Sequence, residues 1–366
     1  MMAEKLEEVF PKIWTAGLNP LDLSRNGKLH EINLNDFFKV KKFSTENTSN
    51  AYIIEFTSTH VLIASGQTLY SNSAITQNAH CIDFDSQIVQ LSACTWYCLV
   101  LLVDGNLFKY DFHENRHTKL DFLTVENAMV SDEKETITHL ACGDKLSIAI
   151  TSRKSVFTIP NRVFTFPKHI RIAKVAAGLE HCLLLTSNGD CYSWGGGLRG
   201  QLGNGEITPH YERPQLIEAL AGVKILDIAA GGWHSGAVSS FGDLYTWGWN
   251  SKGQLGLEGE KRTRGSVFAL PQLLEVLDAD GVEVSFEKIY CGNGYSAAIS
   301  TTGAIYYAGD DITNKIKYQQ IQKEAKTERF KFFDTTACID GKIRLKSGPN
   351  TIIFMNQMKL ASNSGE

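Results

Sequence analysis

None of the eight cysteines forms a C-x-x-C pair with another, so neither a structural zinc site nor a thioredoxin-like redox motif is indicated. A basic excess is missing too. With 36 Lys and Arg against 40 Asp and Glu, the net charge is −4, and the electrostatic footprint of a general nucleic-acid binder is not there. No apolar run approaches the roughly 20 residues that span a bilayer. Met1 to Phe10 is short, charged and acidic, unlike the basic start and apolar core of a signal peptide. These absences lead to the expectation of an intracellular chain with free thiols and no membrane contact. Asn47-Thr-Ser is then a glycosylation acceptor in form only. No Ser-His-Asp arrangement, paired carboxylate or H-x-x-x-H cluster is set by local spacing, so the expectation is a protein that is not an enzyme and carries no metal or cofactor.

What is present is a sentence written twice. Val175-Ala-Ala-Gly178-x-x-His181, Gly189-x-x-Tyr192-x-Trp194-Gly195 and Gly200-Gln-Leu-Gly203 recur as Ile228-Ala-Ala-Gly231-x-x-His234, Gly242-x-x-Tyr245-x-Trp247-Gly248 and Gly253-Gln-Leu-Gly256, every position displaced by 53 residues. A period near 50 residues marks a repeat architecture. Ser187-Asn-Gly-Asp190 sits between the runs Cys182–Thr186 and Cys191–Trp194, and Asn-Gly between two such runs signals a β-hairpin. Pro214–Leu220 and Pro271–Leu277 follow each Gly-rich turn and fit a further strand, with helix as the alternative.

Pushed outward, the frame finds weaker copies. Downstream are Tyr290-Cys-Gly292-x-x-Tyr295 and Gly303-x-x-Tyr306; upstream, Cys94-x-x-Tyr97 has Cys in the first Gly slot. Gly143 opens another copy, with Lys154 at the hairpin Gly place and Phe157 at the Tyr place, and Asn47 to Ile63 is fainter still. Ser347-Gly348 to Met355 opens a unit the sequence does not complete, and Ile13-Trp-Thr-Ala-Gly17 ends one it does not begin. Joined, the two make one blade. The expectation is an all-β, seven-bladed β-propeller closed by N- and C-terminal strands sharing one blade, with several blades degenerate. It spans 1–356 as a single domain, clearest at 174–226 and 227–287, with a disordered tail over 357–366. The short unit between 143 and 178 leaves open a blade lacking a strand or a miscounted loop.

The frame also sorts the conspicuous residues. Gly195-Gly-Gly-Leu-Arg-Gly200 satisfies G-x-G-x-x-G, but a dinucleotide fingerprint needs a helix next, and Gln201-Leu-Gly-Asn-Gly205 is a poor helix start; a structural turn is expected. His181 and His234 share one register, which predicts a role inside each blade, bonding backbone of a neighbouring strand. Tyr192, Tyr245, Trp194 and Trp247 read as blade packing, and Cys142 and Cys291 as small buried residues. Trp233 and Trp249 differ, because the first copy has Glu180 and Gly196 in those slots. Aromatics the frame does not require are candidates for a protein-binding hot spot. The loop cations Lys261, Arg262 and Arg264 are candidates for an acidic surface.

The motifs Ala-Gly-x-x-His, Gly-x-x-Tyr-x-Trp-Gly and Gly-Gln-Leu-Gly resemble the propeller repeat of the regulator of chromosome condensation family. Ser193-Trp-Gly-Gly-Gly197, Gly232-Trp-His-Ser235 and Trp247-Gly-Trp-Asn250 resemble its small, single-propeller members. The resemblance implies a monomeric scaffold that binds proteins in nucleus and cytoplasm. Its implied partner is a JmjC-type oxygenase linked to histone methylation and chromosome stability, with chromatin reached indirectly. The family's founding member implies the alternative of nucleotide exchange on a small GTPase. The resemblance also implies hydroxylation of an arginine by the oxygenase, which by rough alignment falls on Arg153.

Overall fold

The structure is a computed structural model and describes residues 13–17, 30–32, 52–57, 60–73, 79–123, 135–257, 265–278, 280–302, 304–309, 330–332, 337–339, 343–346 and 351–356. Among these residues the chain forms seven β-sheets and no α-helix, compatible with seven blades.

Sheets II to V are four-stranded meanders. They run Ile88–Ala93, Tyr97–Leu102, Leu107–Asp111, Arg116–Lys119 (II); Ile137–Cys142, Ser147–Thr151, Ser155–Thr158, Asn161–Thr165 (III); Ile172–Ala177, His181–Thr186, Cys191–Gly195, His210–Leu216 (IV); and Ile225–Ala230, His234–Ser239, Leu244–Trp249, Val267–Leu274 (V). Sheet VI has Phe286–Cys291, Tyr295–Ser300 and Ile305–Gly309. Sheet I begins with Tyr52–Phe56, His60–Ser65, Thr68–Ser73 and Ala79–Asp83, and its first strand also pairs in parallel with Ile343–Lys346, a join the repeat frame does not contain. In sheet VII, Ile13–Gly17 pairs with Thr351–Asn356, so strands from the two ends of the sequence share one sheet, as expected. First strands of successive sheets pack against each other from I to VI.

The short unit lacks no strand. Sheet III joins its third and fourth strands through two residues, Ile159 and Pro160, where sheet IV uses the fourteen residues 196–209. Lys154, at the hairpin Gly place, takes a φ of 65°, alongside 100° at Gly189 and 89° at Gly242. The segment after each Gly-rich turn is a strand, His210–Leu216 in sheet IV, followed by a 3-10 turn at Glu218–Leu220.

Second strands are buried along their whole length in sheets III to VI because both faces of each sheet are covered. Cys182 and Leu184 pack toward sheet III with Trp194, while Leu183 and Leu185 pack toward sheet V with Trp247. Both tryptophans are completely buried, and truncating either to alanine would cost about 3–5 kcal/mol.

Candidate functional site

The first turns of sheets II to VI repeat one hydrogen bond: the amide of Cys94, Gly143, Gly178, Gly231 or Gly292 donates to the carbonyl three residues on. These turns also bond from sheet to sheet. Thr95 N donates to Asp144 Oδ1 at 2.9 Å, Lys145 N to Leu179 O at 2.8 Å, and Gly232 N to Gly292 O at 3.0 Å. The approach explains the glycine: a Cβ at Gly178 would lie 2.2 Å from Gly231 O. One face of the array is therefore made of first turns together with the loops between third and fourth strands. Hairpins between second and third strands lie at the opposite ends of the sheets and are tied to the links between sheets, as in Ser187 N to Arg171 O and Phe286 N to Gly242 O, both 2.8 Å.

On the first-turn face the structure brings Trp233 and Trp249 together. Trp249 N donates to Trp233 O at 2.9 Å, and the two rings meet edge to face, centroids 5.4 Å apart at 75°. Both are half-buried. Over the Trp249 ring lies the guanidinium of Arg199, 4.2 Å from the centroid, from the Gly-rich loop of sheet IV. That loop is a turn and not a helix start: Gly200 N donates to Gly197 O at 2.9 Å and Arg199 N to Gln201 Oε1 at 2.8 Å. Sheet V repeats the device with Lys252 N on Gln254 Oε1 at 2.7 Å.

Arg199 was not singled out by the repeat, since its counterpart Lys252 is also a cation and the contact that matters crosses between sheets. Beside it Leu198 is 63% exposed, and on the same face Trp96, at the Trp233 place of sheet II, is 62% exposed. Lys145 pairs with Glu180 at 2.6 Å. Arg153 is elsewhere, half-buried at the hairpin between the second and third strands of sheet III, on the opposite face from the tryptophan pair. Lys261, Arg262 and Arg264 lie outside the described residues.

The histidines staple sheets together. His181 Nε2 is 2.8 Å from Ser235 Oγ, and His234 Nε2 is 2.9 Å from Ser296 Oγ. Each bond reaches a serine side chain of the next sheet, and the His234 ring also bonds the Tyr295 backbone there, which corrects the expectation of a role inside one blade; the partner sits about one repeat away, where a single-unit frame does not look. Ser235 spends its only proton on Gln201 O at 2.9 Å, so His181 Nε2–H must be the donor. Burial lowers the pKa of His181 to about 3 and of His234 to about 4, so both rings are neutral near pH 7. The frame tryptophans also have partners, Trp194 Nε1–H on Thr158 Oγ1 at 3.1 Å and Trp247 Nε1–H on Gln201 O at 2.9 Å.

First strands surround a cavity of about 410 Å³ lined in part by Cys94, Cys142 and Cys291. Burial raises the Cys142 thiol far above its usual range and pushes Cys291 up to about 12, which disfavours the thiolate a nucleophile needs. On the wall Lys174 Nζ pairs with Asp227 Oδ1 at 2.6 Å, and Asp227 Oδ2 accepts from Ile289 N at 3.0 Å. Among the described residues no group of three or more His, Cys, Asp or Glu side chains is placed to hold a metal, and no helix is long and apolar enough to cross a membrane.

The profile described as "Regulator of chromosome condensation (RCC1) repeat" matches residues 188–238 and 242–299, and a second profile of the same description matches 172–201 and 225–254. Human "RCC1 domain-containing protein 1" is 33% identical over 223 residues, covering 50% of this chain and 56% of that protein. The chain spans about half the length of the curated relatives it matches first. Among solved structures, human WBSCR16 superposes with a TM-score of 0.63 at 13% identity, over 95% of this chain and 100% of that one. Prp20p of Saccharomyces cerevisiae gives 0.63 at 15% identity over 96% and 93%. These two likenesses show the fold, and the profile matches place regulator of chromosome condensation (RCC1) repeats between residues 172 and 299 of the chain.

Proposed function

We propose that this chain is a noncatalytic β-propeller scaffold that binds a chromatin-modifying JmjC-type oxygenase and regulates or targets it, in nucleus and cytoplasm. The observation that carries the reading is the tryptophan pair at Trp233 and Trp249. It stands where the repeat needs no aromatic, Trp233 in a first turn and Trp249 at the end of a strand, at the loop-bearing edge of a rigid frame, the usual location of recognition residues. Similarity to RCC1 domain-containing protein 1 supports the choice of partner through the family resemblance. Affinity purification from cells followed by mass spectrometry should recover a JmjC protein; repeated recovery of partners without one would refute the assignment.

Arg153 is the proposed site of modification. Its place on a hairpin, away from the tryptophan pair, makes binding and modification separable engagements. Incubation with the oxygenase, iron and 2-oxoglutarate should add one oxygen to the peptide containing Arg153; no gain would leave the binding proposal alone. Iron and cosubstrate belong to the partner.

A second reading is guanine-nucleotide exchange on a small GTPase. It draws on the fold shared with Prp20p, whose structure was described with its binding to Gsp1p and histones. Accelerated nucleotide release from a panel of small GTPases would promote this reading over the first.

A further inference from the structure

Two populations of tryptophan differ in their hydrogen bonding. The buried frame residues Trp194 and Trp247 each give their indole N–H to an acceptor in the chain. Trp233 and Trp249 do not: among the described residues, neither indole N–H has an acceptor, and no carboxylate pairs with the Arg199 guanidinium. Arg199 is exposed, and its stacking on Trp249 at 4.2 Å leaves the edge of the guanidinium, with its N–H fork, turned to its surroundings. The carboxylate on the first turn of sheet IV, Glu180, is held by Lys145 at 2.6 Å. The cluster thus combines apolar ring surface with hydrogen-bond donors that have no matching acceptors.

We propose that Arg199, Trp233 and Trp249 form a docking site for an acidic peptide segment of a partner protein, one in which an Asp or Glu adjoins an apolar side chain. The carboxylate receives the guanidinium fork, the geometry in which Arg surpasses Lys. The apolar neighbour covers the exposed edge of Trp233 and the side chain of Leu198, which is 63% exposed. Stacking fixes the guanidinium plane before the partner arrives, so less conformational freedom is lost on binding. A nucleic acid would also offer acceptors, but the chain's net charge of −4 opposes a polyanion far more than a single carboxylate. This site rests on the scaffold reading and adds the chemistry of what the scaffold holds.

Selection of a random twelve-residue phage-displayed peptide library on the purified full chain tests the site. Enriched peptides should pair Asp or Glu with Leu, Phe or another apolar residue. By fluorescence polarisation, a labelled representative should bind Arg199→Glu at least about tenfold more weakly, and Trp249→Ala and Arg199→Lys about fivefold more weakly. Its acid-to-amide version should also lose about tenfold. An unchanged urea midpoint for Arg199→Glu would show that folding is intact. No enrichment, enriched peptides without acidic residues, or equal binding to Arg199→Glu would overturn the proposal. So would a twelve-nucleotide single-stranded DNA that binds more tightly than any selected peptide. If wild type and Arg199→Glu recover the oxygenase equally from cells, this docking site fails while the scaffold stands; if neither recovers it, the oxygenase assignment fails, and peptide selection still reports on the site.

Discussion

Acidification should unfold this protein through two histidines. His181 and His234 are fully buried, and burial lowers their pKa values to about 3 and about 4, against about 6.5 in an unfolded chain. Each folded pKa lies below its unfolded value, so the unfolded state binds the extra proton first and stability falls as pH drops below 6.5. The loss continues until the folded pKa is reached. Between pH 7.5 and pH 5 each histidine should cost about 2 kcal/mol, and the pair about 4 kcal/mol, a large share of an ordinary domain's stability. Urea unfolding followed by tryptophan fluorescence at half-unit pH steps measures the slope. Replacing one histidine by Gln should lower stability at pH 7.5 yet flatten the slope between pH 5 and 6 by about one proton. An unchanged slope in both His181→Gln and His234→Gln would refute the reasoning.

Asp227 tests the support behind the cavity wall: Asp227→Ala removes the buried carboxylate that holds Lys174 Nζ and the amide of Ile289 and should cost about 3–5 kcal/mol, read as a lower urea midpoint. Gly178→Ala drives a Cβ to 2.2 Å from Gly231 O and 2.5 Å from the His181 ring, so soluble yield or thermal midpoint should collapse, whereas Gly222→Ala, with open space around its Cβ, should cost only the strain of its φ of 83°, about 1–2 kcal/mol. Lys154→Gly removes a side chain from a φ of 65° and should raise stability by up to about 1 kcal/mol, read as a higher urea midpoint; a clear loss would show that the Lys154 side chain contributes more than its backbone strain costs.

Much of this architecture could be read from sequence because it depends on contacts at fixed offsets within a unit. Cys94 could stand in a glycine slot because its turn needs only the amide bond to Tyr97 O, 3.0 Å, at a register where a side chain is accommodated. The unit after Gly143 looked defective because its length was compared with its neighbours, yet its four strands are present and only a connection is short. What sequence could not give is contact between units. His181 meets Ser235 across a sheet boundary, and Arg199 covers Trp249 from the loop of the preceding sheet. Comparison of the two clear copies nonetheless marked Trp233 and Trp249 as surplus to the frame. Their association with each other and with Arg199 required the fold.

Cross-linking mass spectrometry on the full chain mixed with the proposed oxygenase partner tests the central proposal, that this partner sits on the first-turn face. Lys145 and Lys252 are exposed on that face, and Lys168 and Lys224 are exposed on the links at the opposite one. Cross-links to the partner should concentrate on Lys145 and Lys252. A map dominated by Lys168 and Lys224, with Lys145 and Lys252 unmodified by the partner, would contradict it.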